Sequence, residues 1–129
     1  MLPMRTILPR LPAPMIATAI WLLSSQSTLP RLPGFLLGWD KLQHLIAYAT
    51  LGFAVGLWIP RPLRERHPGR AILFSTLISS AYGAIDEFHQ YFVPGRTSDV
   101  LDWVADTIGA FLGASALMLA MRKLEPPIK

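Results

Sequence analysis

Residues 82 to 109 read Tyr-Gly-Ala-Ile-Asp-Glu-Phe-His-Gln-Tyr-Phe-Val-Pro-Gly-Arg-Thr-Ser-Asp-Val-Leu-Asp-Trp-Val-Ala-Asp-Thr-Ile-Gly. Five carboxylates, a His and an Arg stand here inside sequence that otherwise has the apolar character of a membrane-spanning segment. Ionisable groups at membrane depth are costly and face a bundle interior or an aqueous cavity, where they serve as functional positions by default.

The spacing says which way they face. Asp99, Asp102, Asp106, Gly109 and Gly113 follow steps of 3, 4, 3 and 4, which keeps them on one side of a helix. The two glycines have the G-x-x-x-G separation that lets backbones approach closely, so this side is expected to be an interhelical seam and to carry the acids inward. Upstream, Ser79, Tyr82, Gly83, Asp86, His89 and Gln90 share a face with Glu87 on its flank; Lys41, His44, Tyr48 and Gly52 do the same on an earlier segment. Three such faces meeting would form an outward-facing polar pocket, the usual place for a site in a helical bundle.

Composition agrees with a membrane class. The 129 residues suffice for one domain, 1–129; 52% are hydrophobic, 16% are charged, and mean hydropathy is positive. Segments at about 41–59, 71–92 and 99–121 have the roughly 20 residues needed to span. A shorter one, about 11–24, starts among Pro9, Pro12 and Pro14, where proline is tolerated only in the first turn. It is expected to be retained as a first span; cleavage as a secretory signal is the alternative, on Arg5, Arg10 and the Ser25-Gln26-Ser27 end. Pro30 and Pro33, then Pro60, Pro62 and Pro68, then Pro94-Gly95 mark the connectors. The expected fold is therefore all-α, a polytopic membrane bundle of four transmembrane helices. No cysteine is present, which removes disulfides, thiolate metal sites and a cysteine nucleophile.

Charge fixes the orientation. Nine of the twelve Lys and Arg, namely Arg5, Arg10, Arg61, Arg64, Arg66, Arg70, Arg122, Lys123 and Lys129, lie at the termini and the second connector. The positive-inside rule then sets both termini and that connector in the cytoplasm. The Arg61 to Arg70 run reads as a topogenic, headgroup-facing loop, and the chain as one with no nucleic-acid partner. Six of the eight acids, Asp40, Asp86, Glu87, Asp99, Asp102 and Asp106, fall at the opposite ends of the spans, with Lys41, His44, His89, Gln90 and Arg96 at the same level.

Asp40-Lys41-x-x-His44-x-x-x-Tyr48, Tyr82-Gly83-x-x-Asp86-Glu87-x-x-Gln90-x-Phe92-x-x-x-Arg96, and Asp102 through Gly109 resemble the signature of the VanZ-like family, small bacterial membrane proteins named for teicoplanin resistance. The resemblance covers about 23–117. It implies a four-span protein of the bacterial cytoplasmic membrane working at its outer face, near cell-wall precursors. The family often has Asn where this chain has Asp106. The resemblance supplies no reaction.

Binding is the first reading of the site, with Asp40, Lys41, His44, Tyr48, Asp86, Glu87, Gln90, Arg96, Asp102 and Asp106 as pocket residues and Gly83, Gly109 and Gly113 as packing residues. Lys41 and Arg96 suit the phosphate of a lipid-linked wall precursor, and Trp39, Tyr91 and Trp103 suit an interfacial aromatic belt. Arg31, Lys41 and Arg96 against the six acids leave a local formal charge of −3, which favours a cationic or amide-bearing ligand such as a glycopeptide or stem peptide. An enzyme is the second reading. Asp86 with Glu87, or Asp102 with Asp106, is then an acid and base pair, or His44, Glu87, His89 and Asp102 hold a divalent cation, although no strong metal spacing is present. No cofactor is required by the sequence. The third reading is a structural seam of ion pairs, Asp86 with Lys41 and Asp99 or Asp102 with Arg96; a proton or ion path is the fourth. Single residues have plainer readings too: His89 as a surface histidine, Tyr48 as a packed aromatic. The lipid bilayer is the expected partner, and a homo-oligomer is left open.

Overall fold

The computed structural model describes residues 8–27 and 39–124. Among these, every regular element is helical: a 3-10 turn at Leu8–Arg10, then α1 (Pro12–Ser24), α2 (Trp39–Gly56), α3 (Arg61–Arg66), α4 (Pro68–Gln90) and α5 (Val100–Leu124). The charges at Arg5, Arg31 and Lys129, the prolines at Pro30 and Pro33, and the side chain of Trp39 lie outside the described residues.

The termini of these helices follow from local chemistry. Pro12 and Pro68 occupy first-turn positions, where a missing N–H costs nothing. Before α5, the Asp99 carboxylate accepts the Leu101 N–H at 2.8 Å and caps the helix. The expected boundaries move by a few residues: α2 ends at Gly56 instead of 59, α4 begins at Pro68 instead of 71, and α5 runs on to Leu124. The second connector, read as a loop, folds into α3, where Arg61 Nε meets Glu65 Oε1 one turn on at 2.6 Å.

The four longer helices alternate in direction. Ser24 meets Asp86 and Tyr82 meets the Ala17 carbonyl, so α1 runs alongside α4 in the same sense. Lys41 faces Asp99 and Asp102 while Gly113 faces Ala49, so α2 and α5 are also parallel to each other. Ser75 donates to the Gly52 carbonyl at 2.6 Å, and α4 is antiparallel to both.

The α2–α5 seam is the tightest. A Cβ on Gly109 would collide with the Leu45 carbonyl oxygen, one on Gly113 with that of Ala49, and one on Gly52 with that of Ala110. Only hydrogen at those positions allows two backbones so close, where dispersion and weak Cα–H···O contacts replace side-chain interlock. The apolar core is correspondingly modest and begins beneath the acids: Tyr48, Leu51, Ala54 and Val55 pack with Ala13 and Ile20 of α1, and Ile59, Ala71, Leu117 and Met118 close the far end.

Among the described residues one helix, Val100–Leu124, is long and apolar enough to cross a membrane; Pro12–Ser24 is apolar but shorter. α2 and α4 fall short because Asp40, Lys41 and His44, and Asp86, Glu87 and Gln90, are gathered at one end of each.

Candidate functional site

Three helix ends and one turn assemble the site. Asp40, Lys41 and His44 come from the first turns of α2, Asp86, Glu87 and Gln90 from the last turn of α4, and Asp102 and Asp106 from the first two turns of α5. Between α4 and α5 the segment Val93-Pro94-Gly95-Arg96 closes with the Arg96 N–H donating to the Val93 carbonyl at 3.1 Å. Gly95 takes φ +80°, the conformation the third position of a type II turn requires. That turn sets Arg96 beside the helix ends.

Lys41 ties α2 to α5. Its ammonium donates to Asp99 Oδ2 at 2.7 Å and to Asp102 Oδ1 at 2.5 Å. The Asp102 side chain is almost fully buried, whereas that of Asp99 is 40% exposed. This ammonium, then the Leu101 N–H, holds the Asp99 carboxyl below the ordinary carboxylate range.

His44 lies at the centre. Its Nδ1 is 2.8 Å from Asp106 Oδ1 and 4.0 Å from Glu87 Oε1, and its Nε2 is 3.8 Å from Asp102 Oδ2. Glu87 is fixed through its other oxygen, which accepts from the Ser98 hydroxyl at 3.2 Å and the Asp99 N–H at 3.1 Å. Asp86 keeps separate company: Oδ1 accepts from the Ser24 hydroxyl at 2.5 Å, and Oδ2 from Tyr48 and Gln90 at 3.4 Å each. Two sets of three groups, Asp40 with His44 and Asp102, and His44 with Glu87 and Asp106, each offer donor atoms within 4.8 Å of one another.

A groove of about 330 Å³ opens beside this cluster. Asp40, His44, Asp86, Gln90 and Arg96 form its polar side, and Ile20 and Leu23 of α1 with Ile46 and Ala47 of α2 its apolar side.

A model of the VanZ/LLP1 family matches residues 8–121. The chain belongs to the VanZ/LLP1 family. No curated protein and no solved structure matches it.

In this VanZ/LLP1 chain the expected pocket residues divide. His44, Tyr48, Asp86, Gln90, Asp40 and Arg96 border the groove; Glu87, Asp102 and Asp106 lie behind it, around His44; Lys41 is drawn to Asp99 and Asp102. Two suggested pairings are corrected. Asp86 bonds Ser24, Tyr48 and Gln90 and not Lys41, because α5 brings Asp99 and Asp102 closer to that ammonium. Arg96 makes no ion pair with Asp99 or Asp102, since the turn aims it at the groove. His89 is absent from both candidate metal sets: its ring stacks on Trp21 with centroids 4.0 Å apart and planes 18° apart. Of the belt aromatics, Tyr91 is exposed, and Trp103 donates its Nε1–H to the Ser80 carbonyl at 3.0 Å.

Sequence reasoning missed Ser24 and Ser98, the two hydroxyls that hold Asp86 and Glu87. Ser98 carried a signal, standing immediately before the capping Asp99. Ser24 did not, because nothing in its own segment indicates that the end of α1 docks against α4.

Proposed function

We propose that this VanZ/LLP1 protein is a single-domain, four-span protein of the bacterial cytoplasmic membrane with both termini inside, and that its groove binds a cell-wall-related amphiphile. The membrane part is supported by an inverted distribution of polarity. Ser75, Ser79, Asp86, Gln90, Asp102 and Asp106 are buried, while Leu73, Leu77, Ile85 and Phe88 on α4 and Leu101, Ile108, Phe111 and Leu119 on α5 are exposed. Water would penalise that outer surface, whereas acyl chains would solvate it. The Arg-bearing segments support the orientation: Arg10 meets Trp58, and Leu63 of α3 packs near Met121, at the end opposite the acids.

The observation that carries the binding reading is the two-sided lining of the groove. A ligand with a polar head and an apolar tail can lay the tail along Ile20, Leu23 and Ile46 while its head meets Asp86, Gln90 and Arg96. Arg96 alone of the two expected cations borders this space, so an amide- or amine-bearing head fits better than a bare phosphate. A lipid-linked wall precursor with its stem peptide, or a glycopeptide, has that chemistry. The family's association with teicoplanin resistance supports the same class. The Lys41–Asp99–Asp102 tie is read as structural.

Native mass spectrometry of gently extracted protein tests the reading, comparing wild type with Asp86→Asn and Arg96→Gln. A bound mass present in the wild type and lost from both variants is expected. An adduct that survives both, or wild-type protein that stays bare when offered lipid-linked precursor and glycopeptide, overturns it.

A further inference from the structure

Two carboxylate oxygens at the buried end of the bundle lack a hydrogen-bond donor among the described residues. Glu87 Oε1 and Asp106 Oδ2 are buried and accept no hydrogen bond among the described residues. The residues that carry them are 6% and 0% exposed. A buried carboxylate oxygen without a donor is costly; Glu87 Oε1 stands 4.0 Å from His44 Nδ1, whereas Asp106 meets that nitrogen through Oδ1 and turns its donorless Oδ2 toward Gly83. The nearby ammonium is already committed: Lys41 holds Asp99 and Asp102. What this arrangement lacks is a compact positive charge between Glu87, Asp106 and His44.

We propose that His44, Glu87 and Asp106 bind a divalent transition-metal cation of the zinc class, through His44 Nδ1 and one oxygen from each carboxylate. The donor set is one imidazole nitrogen and two carboxylates. The nitrogen selects zinc-like ions over magnesium and calcium, which take oxygen alone, and the two negative charges match a dication. In a four-coordinate site with bonds of about 2.0–2.1 Å, neighbouring donors stand roughly 3.3 Å apart. His44 Nδ1 is 2.8 Å from Asp106 Oδ1 and 4.0 Å from Glu87 Oε1. Each separation is within about 0.7 Å of that edge, a difference side-chain rotation absorbs.

The surroundings support each ligand. Glu87 Oε2 is held by the Ser98 hydroxyl and the Asp99 N–H, which turns Oε1 toward His44. Behind the imidazole, Asp102 Oδ2 faces Nε2 at 3.8 Å, and Lys41 fixes that carboxylate from its other oxygen. A carboxylate behind a metal-binding imidazole sets the tautomer that leaves the opposite nitrogen free for the ion. The alternative set of Asp40, His44 and Asp102 is the weaker one, because Asp40 is exposed and Asp102 is already neutralised by Lys41. The cation site does not depend on the groove holding a ligand.

The test uses full-length protein carrying an affinity tag without histidine, in detergent, stripped with chelator and offered zinc or, separately, manganese before desalting. Elemental analysis is expected to find about one zinc per chain in the wild type, at least a tenfold loss of retained zinc in Glu87→Gln, and no change in Glu65→Gln, whose carboxylate lies on α3 away from the site. X-ray absorption of the zinc-loaded wild type is expected to show a nitrogen and oxygen shell with a single imidazole, a readout that stands even if Glu87→Gln fails to accumulate. Wild-type protein that retains neither metal, retention equal in wild type and Glu87→Gln, or a shell with two imidazoles overturns the proposal.

Discussion

The Asp106 carboxylate occupies the space where a side chain at Gly83 would begin. A Cβ on Gly83 would stand 2.9 Å from Asp106 Oδ2, 3.2 Å from Asp106 Cβ and 3.2 Å from Tyr48 Cε1. α4 therefore approaches α2 and α5 at the level of the buried acids only because residue 83 has no side chain. Gly83→Ala is expected to force apart Asp106 and Tyr48, costing about 1–3 kcal/mol as overpacking does. Gly69→Ala is the control, since nothing lies within 4 Å of a Cβ there. Thermal unfolding in detergent should show a lowered midpoint for Gly83→Ala and an unchanged or raised one for Gly69→Ala.

Lys41 touches two acids of different worth. Its bond to buried Asp102 replaces solvation that the carboxylate has lost, whereas Asp99 retains water on its exposed side. Lys41→Met is expected to destabilise by about 1–3 kcal/mol, mostly by leaving the buried Asp102 carboxylate without its donor. In double-mutant cycles the coupling of Lys41 with Asp102→Asn should exceed that with Asp99→Asn. Equal couplings would mean that both pairs are solvated alike.

Asp99 also has a defined pH response. Its carboxyl is held below the ordinary range by the Lys41 ammonium, so its contribution is complete above the unfolded carboxyl value of about 3.9 and disappears as pH falls through the lower folded value. The stability difference between wild type and Asp99→Asn should thus be flat from about pH 8 to 5 and shrink only below about pH 4. A difference that instead grows as pH falls from 7 to 5 would require an Asp99 carboxyl raised above its ordinary value, and would overturn this reading.

Much of this arrangement was legible from spacing. Steps of 3 and 4 identify which residues share a face, so Asp102, Asp106, Gly109 and Gly113 could be assigned to one seam and Gly83, Asp86 and Gln90 to another. Spacing carries no information on which residue of a facing helix each one meets. That depends on the register between helices, and here the glycines set it: α2 and α5 slide together until Gly109 and Gly113 lie against Leu45 and Ala49. The register brings Lys41 level with Asp99 and Asp102 and leaves Asp86 to Ser24 and Tyr48. α3 was hidden for a different reason, because Pro60, Pro62 and Pro68 read as breakers although proline at a first turn permits the helix that follows.

The same register makes a prediction about the glycines. Adding one methyl at Gly113 places a Cβ against the Ala49 carbonyl oxygen, and no rotamer relieves a collision between two backbones. The helices must separate, and because α2 and α5 carry Lys41, His44, Asp102 and Asp106 together, separation at the glycines propagates to the acids. Gly113→Ala should lower thermal stability more than Gly83→Ala, whose obstacle is partly a movable carboxylate. Cysteines introduced at exposed Ile46 and Ile108 give a direct distance readout, since the native chain has none. A spin-label separation that grows in Gly113→Ala supports this reading of the seam; an unchanged separation, with stability retained, would mean that the close approach of α2 and α5 does not set the register.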